Sequence, residues 1–405
     1  MKIVLLNTSE RSGGAAVAAN RLMHALKGEG HDVKLIVRDK QTDSPDVVSV
    51  NASFLNRLIN KIRFIWERLC IYVATGFNRE ILFQVSIANT GTDVSLHPWI
   101  QQADVIHIHW INQGFLSLND ISKLIKLKKP IIWTMHDLWI TNGIYHYPDK
   151  EVSSWLNNLV FRQKRRMALS EITYVGCSKW ITSLAERSVL LENAKHISIP
   201  NPINRDLYTP IPKFDARSQL GINSDRFIIL FGAAKLTDTR KGLIFFLEAC
   251  KILLDRNPSI KDYLQIELLG KASQEICDLF SFQAHAIGFL SNEKQIAAAY
   301  AAADLFVIPS LEDNLPNTIM ESMACGTPCV GFRTGGIPEM IDHQVNGYLA
   351  EYKSAEDLAN GIEWVLNHPN RKELSDACVK KVESCYSELV VARQYIELYN
   401  NLLKK

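Results

Sequence analysis

Short apolar runs alternate with longer amphipathic ones along this chain. Residues 2–6 (KIVLL) precede a helix-like AAVAANRLMHAL, and VKLIV (33–37) follows. DVIHIH (104–109), PIIWTM (130–135) and ITYVG (172–176) are compact, β-branched runs bounded by Asp, Pro or Gly. Strands apolar on both faces are what a parallel sheet covered by helices requires, and strand, helix, strand in series predicts a doubly wound α/β fold. Four prolines from Pro200 to Pro212 interrupt the alternation and mark a linker. The pattern restarts with FIILFG (227–232), LQIELLG (264–270), DLFVIP (304–309) and PCVGF (328–332). The expectation is two α/β domains facing a central cleft, over 1–201 and 202–386. A helix over 387–405 follows, with apolar spacing at Leu389, Tyr395, Leu398, Tyr399 and Leu402.

Length agrees with this division, because 405 residues suit two domains of about 200 better than one core. Apolar residues at 47% and charged residues at 22% exclude disorder, a collagen-like repeat or a coiled-coil rod. Forty-five Lys and Arg against 43 Asp and Glu leave a formal +2, so bulk charge points to no nucleic acid. The eight cysteines include no C-x-x-C pair, which argues against a zinc knuckle or thioredoxin motif and for a reducing compartment. The opening apolar run, Ile3 to Leu6, is too short for the core of a signal peptide, and no run approaches 18 apolar residues. A cytoplasmic protein is expected.

Residues 55–73 carry a helical stripe: Leu55, Leu58, Ile59, Ile62, Ile65, Trp66, Leu69 and Val73. Arg57, Lys61 and Arg68 decorate the rest, and Arg162, Lys164, Arg165 and Arg166 form a second basic cluster. Two readings are open. The preferred one docks the stripe on a sheet and solvates the charges; the other lays a surface helix on an anionic membrane.

Gly13 and Gly14 lie between the first strand and first helix, where a helix N-terminus can meet an anion or the chain simply turns tightly. Arg240-Lys241-Gly242 opens the helix after FIILFG. Cations there oppose the helix dipole, so an anion such as a diphosphate is expected to compensate them. The densest signal is PSLEDNLPNTIMESMACGTPCVGFRTGGIPEM (309–340). A strand ends at Pro309, a polar loop carries Glu312 and Asp313, and a helix begins near Pro316 with Glu321 inside it. Carboxylates accept paired sugar hydroxyls, and the first-turn N–H groups at Asn317 and Thr318 can take a phosphate, though two carboxylates alone in such a setting are more often a surface feature than a site.

That stretch closely resembles the donor-binding segment of family-4 retaining glycosyltransferases, whose GT-B architecture sets two Rossmann-like domains face to face. The family pattern is Glu, seven residues, Glu, then AMACGTPVV and a GG-x-PE turn. The resemblance implies that Glu321 grips the ribose of a nucleotide sugar, and that Lys241 is the diphosphate lysine. It places Gly13-Gly14 on the N-terminal glycine loop and His136 on the active-site histidine near the transferred sugar. Gly335, Gly336, Pro338 and Glu339 fall on the later turn. Two departures stand out: Asp313 replaces the first glutamate, with Pro316 where glycine is frequent. The usual arginine after the first strand of the second half is missing from FGAAKLTDTRKG, so Lys235 or Arg240 supplies its charge. EDNLPN with RKG resembles the branch that builds colanic acid and other bacterial surface polysaccharides. His107 and His109 are expected to be structural. No Asp-x-Asp occurs, and the resemblance implies a reaction without metal or cofactor.

The expected function is therefore retaining transfer of a sugar from a UDP-, GDP- or related nucleotide sugar. The acceptor is a glycan or lipid-linked saccharide, reached at the inner face of the cytoplasmic membrane. A sugar-nucleotide epimerase or hydrolase, or a non-catalytic binding protein of an assembly complex, are the rivals.

Overall fold

The computed structural model describes residues 1–79, 81–147 and 155–404. Two compact units emerge, one of Met1–Pro202 with Val391–Lys405, the other of Ile203–Val390. The division falls one residue beyond the expected position. The C-terminal helix, Glu388–Leu403, starts in the second unit and from Val391 on belongs to the first. Lys405 lies outside the described residues.

Unit 1 contains β1 (Lys2–Ser9), β2 (Asp32–Asp39), β3 (Val47–Ser49), β4 (Val105–Ile108), β5 (Ile131–Met135), β6 (Ile172–Gly176) and β7 (Lys195–Ser198). They form one parallel sheet in the order β3-β2-β1-β4-β5-β6-β7. Successive side chains of a strand point to opposite faces. In β1, Val4 and Leu6 join one core, while Ile3 and Leu5 join another on the far side. Both faces are covered, which is why KIVLL is apolar throughout. The second core is closed by Val391, Tyr395, Leu398 and Tyr399 of the C-terminal helix. Helix α1 (Gly14–Gly28) follows β1 and lines that same face with Leu22, Met23 and Leu26.

Unit 2 repeats the plan with six strands: β8 (Phe227–Lys235), β9 (Leu264–Lys271), β10 (Gln283–Gly288), β11 (Leu305–Ile308), β12 (Cys329–Phe332) and β13 (Gly347–Ala350). Their order is β10-β9-β8-β11-β12-β13, again all parallel. In each sheet the order reverses once, between β1 and β4 and between β8 and β11. Loops leaving the carboxyl ends of those pairs diverge, and the gap they leave is where open α/β sheets hold ligands.

Two expectations need correction. Helix α2 (Phe54–Ala74) forms where the stripe predicts it, but the stripe is not docked: Ile62 is 58% exposed and Trp66 54%, whereas Asn60, Glu67 and Arg68 are buried. Lys164 is not part of a surface cluster. It is fully buried, and its Nζ donates to the carbonyls of Trp139, Asn142 (2.8 Å) and Gly143 (2.8 Å) and lies over the Trp139 ring. Burial pushes its pKa well down. Arg162, Arg165 and Arg166 remain exposed.

The tie between the C-terminal helix and the sheet has a polar element: the Tyr399 hydroxyl lies 2.8 Å from His107 Nδ1, both groups fully buried. Tyr399→Phe leaves that nitrogen without a partner in a dry core. We expect it to lower stability by about 1–3 kcal/mol, read as a shifted urea midpoint with an unchanged slope. An unmoved midpoint would show that the hydroxyl contributes nothing.

Candidate functional site

In unit 2 the reversal of strand order brings two loops together. Strand β8 ends at Lys235, and the turn Thr239–Lys241 leads through Gly242 into the helix Leu243–Arg256. Strand β11 leads through the 309–316 loop into the helix Asn317–Ala324. Gly242 has φ 70°, and a β-carbon there would lie 1.9 Å from the Pro309 carbonyl oxygen. Only glycine permits both the left-handed turn and the close approach. The Leu311 N–H donates to the Arg240 carbonyl at 2.7 Å, tying the loops backbone to backbone.

Lys241 and Asp313 meet across this junction, Nζ to Oδ2 2.7 Å, both half-buried. Gly335 holds the other side of the aspartate loop. It has φ 56°, a β-carbon on it would sit 1.8 Å from the Asp313 carbonyl oxygen, and the Gly336 N–H donates to that oxygen at 3.2 Å. The GG turn and the carboxylate loop are therefore one structure, although 22 residues of sequence separate Asp313 from Gly335.

The helix Asn317–Ala324 starts after Pro316, whose side chain has no acceptor with which to cap the first-turn N–H groups. Asn317 and Thr318 stand there, half-buried. Glu321, one turn further, is 8% exposed and lies beside the buried Tyr300 phenol, whose pKa burial and this carboxylate together push well up. Burial and the same carboxylate raise the Cys325 thiol to about 12. Arg240 donates to Asp238 (Nη2 to Oδ2 2.7 Å). Burial acts to raise the Asp238 carboxyl, but the guanidinium holds it below its usual range. Lys235 is exposed at the end of β8.

Unit 1 presents a different set at its own reversal point. Gly13, φ 96°, caps α1 with no side-chain bond, and open space surrounds the position where a β-carbon would be. His107, His109 and His136 stand in a row: ring centroids are 4.4 Å apart between the first two and 5.3 Å between the last two. His107 is held at Nδ1 by Tyr399 and at Nε2 by Thr134 (2.7 Å), and Tyr395 bonds the same threonine at 2.9 Å. His109 Nδ1 lies 3.0 Å from His136 Nε2. Burial lowers His107 to about 3 and His136 to about 4, so both are neutral at physiological pH.

Asp137, next to His136, takes bonds from Trp110 Nε1 (2.9 Å) and the Trp139 N–H (2.9 Å) and contacts His146 Nδ1 at 2.6 Å. Burial works to raise this carboxyl, yet His146 and these donors hold it below its usual value. A small cavity is lined by His109, Asn112, His136 and Asp137, and in it His109 Nε2 and Asn112 Nδ2 are buried without a protein partner. Sequence reasoning passed over Asp137 and Asn112; the aspartate was visible in TMHD, but its partner His146 was not. Among the described residues no group of three or more His, Cys, Asp or Glu side chains is placed to hold a metal ion.

Residues 12–207 match Glycosyltransferase Family 4, and residues 226–368 match Glycosyl transferases group 1. A D-inositol 3-phosphate glycosyltransferase of Geodermatophilus obscurus is 28% identical over 409 residues, covering 93% of this chain and 82% of its own. One from Thermobispora bispora is 25% identical over 423 residues, covering 97% and 91%. Among solved structures, sucrose-phosphate synthase of Thermosynechococcus elongatus superposes with a TM-score of 0.69 at 18% identity over 99% of both chains. Anabaena HepE in complex with UDP and glucose gives 0.65 at 17%, also over 99% of both. These structures share the fold, two parallel-sheet Rossmann-like units of the GT-B class.

The histidine row makes stability depend on pH. His107 and His109 refuse protons when folded but titrate near 6.5 when unfolded. The folded state therefore keeps its full advantage above that value and loses it as pH falls toward the folded values. Between pH 7 and 5 we expect His107 alone to cost on the order of 2 kcal/mol. His107→Gln can still bond Thr134 and Tyr399 but cannot titrate, so its urea midpoint should fall less steeply over the same range. Identical slopes would exclude His107 as the source.

Proposed function

We propose that this chain, whose two halves match Glycosyltransferase Family 4 and Glycosyl transferases group 1, carries out retaining, metal-independent transfer from a nucleotide sugar to a glycan or lipid-linked acceptor. The observation that carries the reading is the Lys241–Asp313 pair, held where strand order reverses and beside the N-terminus of the helix Asn317–Ala324. A half-exposed pair of this kind contributes about 1 kcal/mol or less. A diphosphate offers Lys241 more negative charge and more oxygens, so the donor takes the lysine and frees the carboxylate. Arg240 and Lys235 add charge, and the first-turn N–H groups of Asn317 and Thr318 complete the anion site. Fixed cations then offset the charge that develops on the departing diphosphate.

Released Asp313 accepts hydroxyls of the transferred sugar, and Glu321 those of the ribose. Gly13 and Gly14 leave room for the ligand at the start of α1. His136, neutral and fixed by His109, orients a hydroxyl rather than acting as nucleophile. Attack comes from the face the diphosphate leaves, with a donor phosphate oxygen taking the acceptor proton as the new glycosidic bond forms. A UDP-sugar is the favoured donor, since HepE was solved with UDP-glucose. The segment EDNLPN with RKG favours work on a bacterial surface polysaccharide. A second reading, a small phosphorylated polyol as acceptor, is favoured by the names of the relatives. Radiolabel transfer from UDP- and GDP-sugars to a lipid-linked saccharide or to inositol phosphate separates the two.

Turnover should survive EDTA, and the product should keep the donor's anomeric configuration by NMR. Loss of activity restored by magnesium or manganese, or an inverted linkage, overturns the mechanism. Asp313→Asn should lower catalytic efficiency roughly 10- to 150-fold, the worth of a charged hydrogen bond of about 1.5–3 kcal/mol. The loss should fall on kcat, because Lys241 no longer has to leave an ion pair to bind the donor. Glu312→Gln should be mild; if it is the damaging change, Glu312 is the sugar carboxylate.

A further inference from the structure

Helix α2 is built inside out. Its inward side is polar: Glu67 is 0% exposed and its Oε1 accepts the N–H groups of Ile87 and Ala88, both at 3.0 Å. Arg68 pairs with Glu67 (3.1 Å) and donates to the carbonyls of Leu82 and Val85. Asn60 bonds Asn51 at 2.6 Å and Thr92 at 2.9 Å. This latch fixes the roll of the helix, since turning it to bury the stripe would strand a buried charge pair. The stripe, Leu55 through Val73, is thereby held outward, and at about 100° per residue it spans about 120° of the helix. It runs the length of a helix about 30 Å long.

One occupant fits this face. Arg57 and Lys61 flank the stripe on one side, and Arg79 follows the helix, all exposed. The only carboxylate in α2 is the buried Glu67, so the outward face carries positive charge alone. Two such faces packed on one another would join cations with no carboxylate of the helix to pair them. An apolar stripe with cations along its border and a tryptophan within it suits the boundary between headgroups and acyl chains of an anionic bilayer. Patches of this length are not ordinary features of a monomer surface. We propose that α2 docks the protein on an anionic lipid bilayer, its stripe inserted at the acyl boundary and Arg57 and Lys61 against lipid phosphates. The proposal deepens the reading of a lipid-linked acceptor and rests on it for its purpose, but not for its test.

Sedimentation with vesicles decides it. Wild-type protein should bind phosphatidylcholine vesicles containing phosphatidylglycerol, bind pure phosphatidylcholine far less, and be released as salt shortens the screening length below about 8 Å. Leu58→Glu with Ile62→Glu should weaken binding at least about tenfold, since charge replaces inserted apolar groups. Arg57→Gln and Lys61→Gln should each cost about fivefold on anionic vesicles. Neither residue pair touches the donor site, so the rate of donor hydrolysis in solution should stay at the wild-type value, which also certifies folding. No vesicle binding by wild type, equal binding to neutral vesicles, or unchanged binding by the double glutamate variant overturns the proposal. So does a wild-type dimer by light scattering that the double variant converts to monomer, which would assign the stripe to a second copy. Vesicle binding without any transfer from a sugar nucleotide leaves the docking surface standing and removes the enzymatic reading.

Discussion

The reversal of strand order between β8 and β11 is the constraint from which the chemistry of unit 2 follows. Adjacent parallel strands whose connections run in opposite directions must leave their carboxyl-end loops side by side and unfilled. Three backbone contacts turn that gap into a defined site: Gly242 against Pro309, Leu311 to Arg240, and Gly335–Gly336 against Asp313. Side chains on such short, tied loops have little freedom, so Lys241 and Asp313 meet without help from a ligand. The ion pair holds the lysine against the carboxylate across the junction of the two loops.

Unit 1 has the same topology but spends its reversal point on neutral groups. Its three histidines are held uncharged chiefly by burial, and the C-terminal helix supplies the tyrosine that fixes the innermost of them. Asp137, the carboxylate next to His136, is already engaged by His146, Trp110 and a backbone N–H. The contrast is one of charge: unit 2 sets a lysine–aspartate pair at its reversal point, and unit 1 a row of neutral histidines.

Most of this architecture was legible in the sequence because parallel strands buried on both faces are written as unbroken apolar runs. The 309–340 segment was equally legible, since each glycine and carboxylate in it has a geometric reason to be where it is. Two things were missed. Lys164 reads as a member of a basic cluster, yet it stands four and eight residues after Val160 and Leu156, on the helix face that is buried. That spacing was the available signal. The pairing of Asp137 with His146 depends on how the chain returns after β5, which no local pattern encodes.

The outward stripe of α2 shows where periodicity stops being informative. Both α2 and the C-terminal helix are amphipathic, and the first exposes its apolar side while the second buries Tyr395, Leu398 and Tyr399. Helical spacing of apolar residues says only that they share an environment; it does not say that the environment is protein. What decides is the other face. Glu67 and Arg68 of α2 find backbone donors and acceptors inside unit 1, at residues 82–88. Buried polar groups must be paired, and a helix whose polar side provides those pairs is committed to turning its apolar side away.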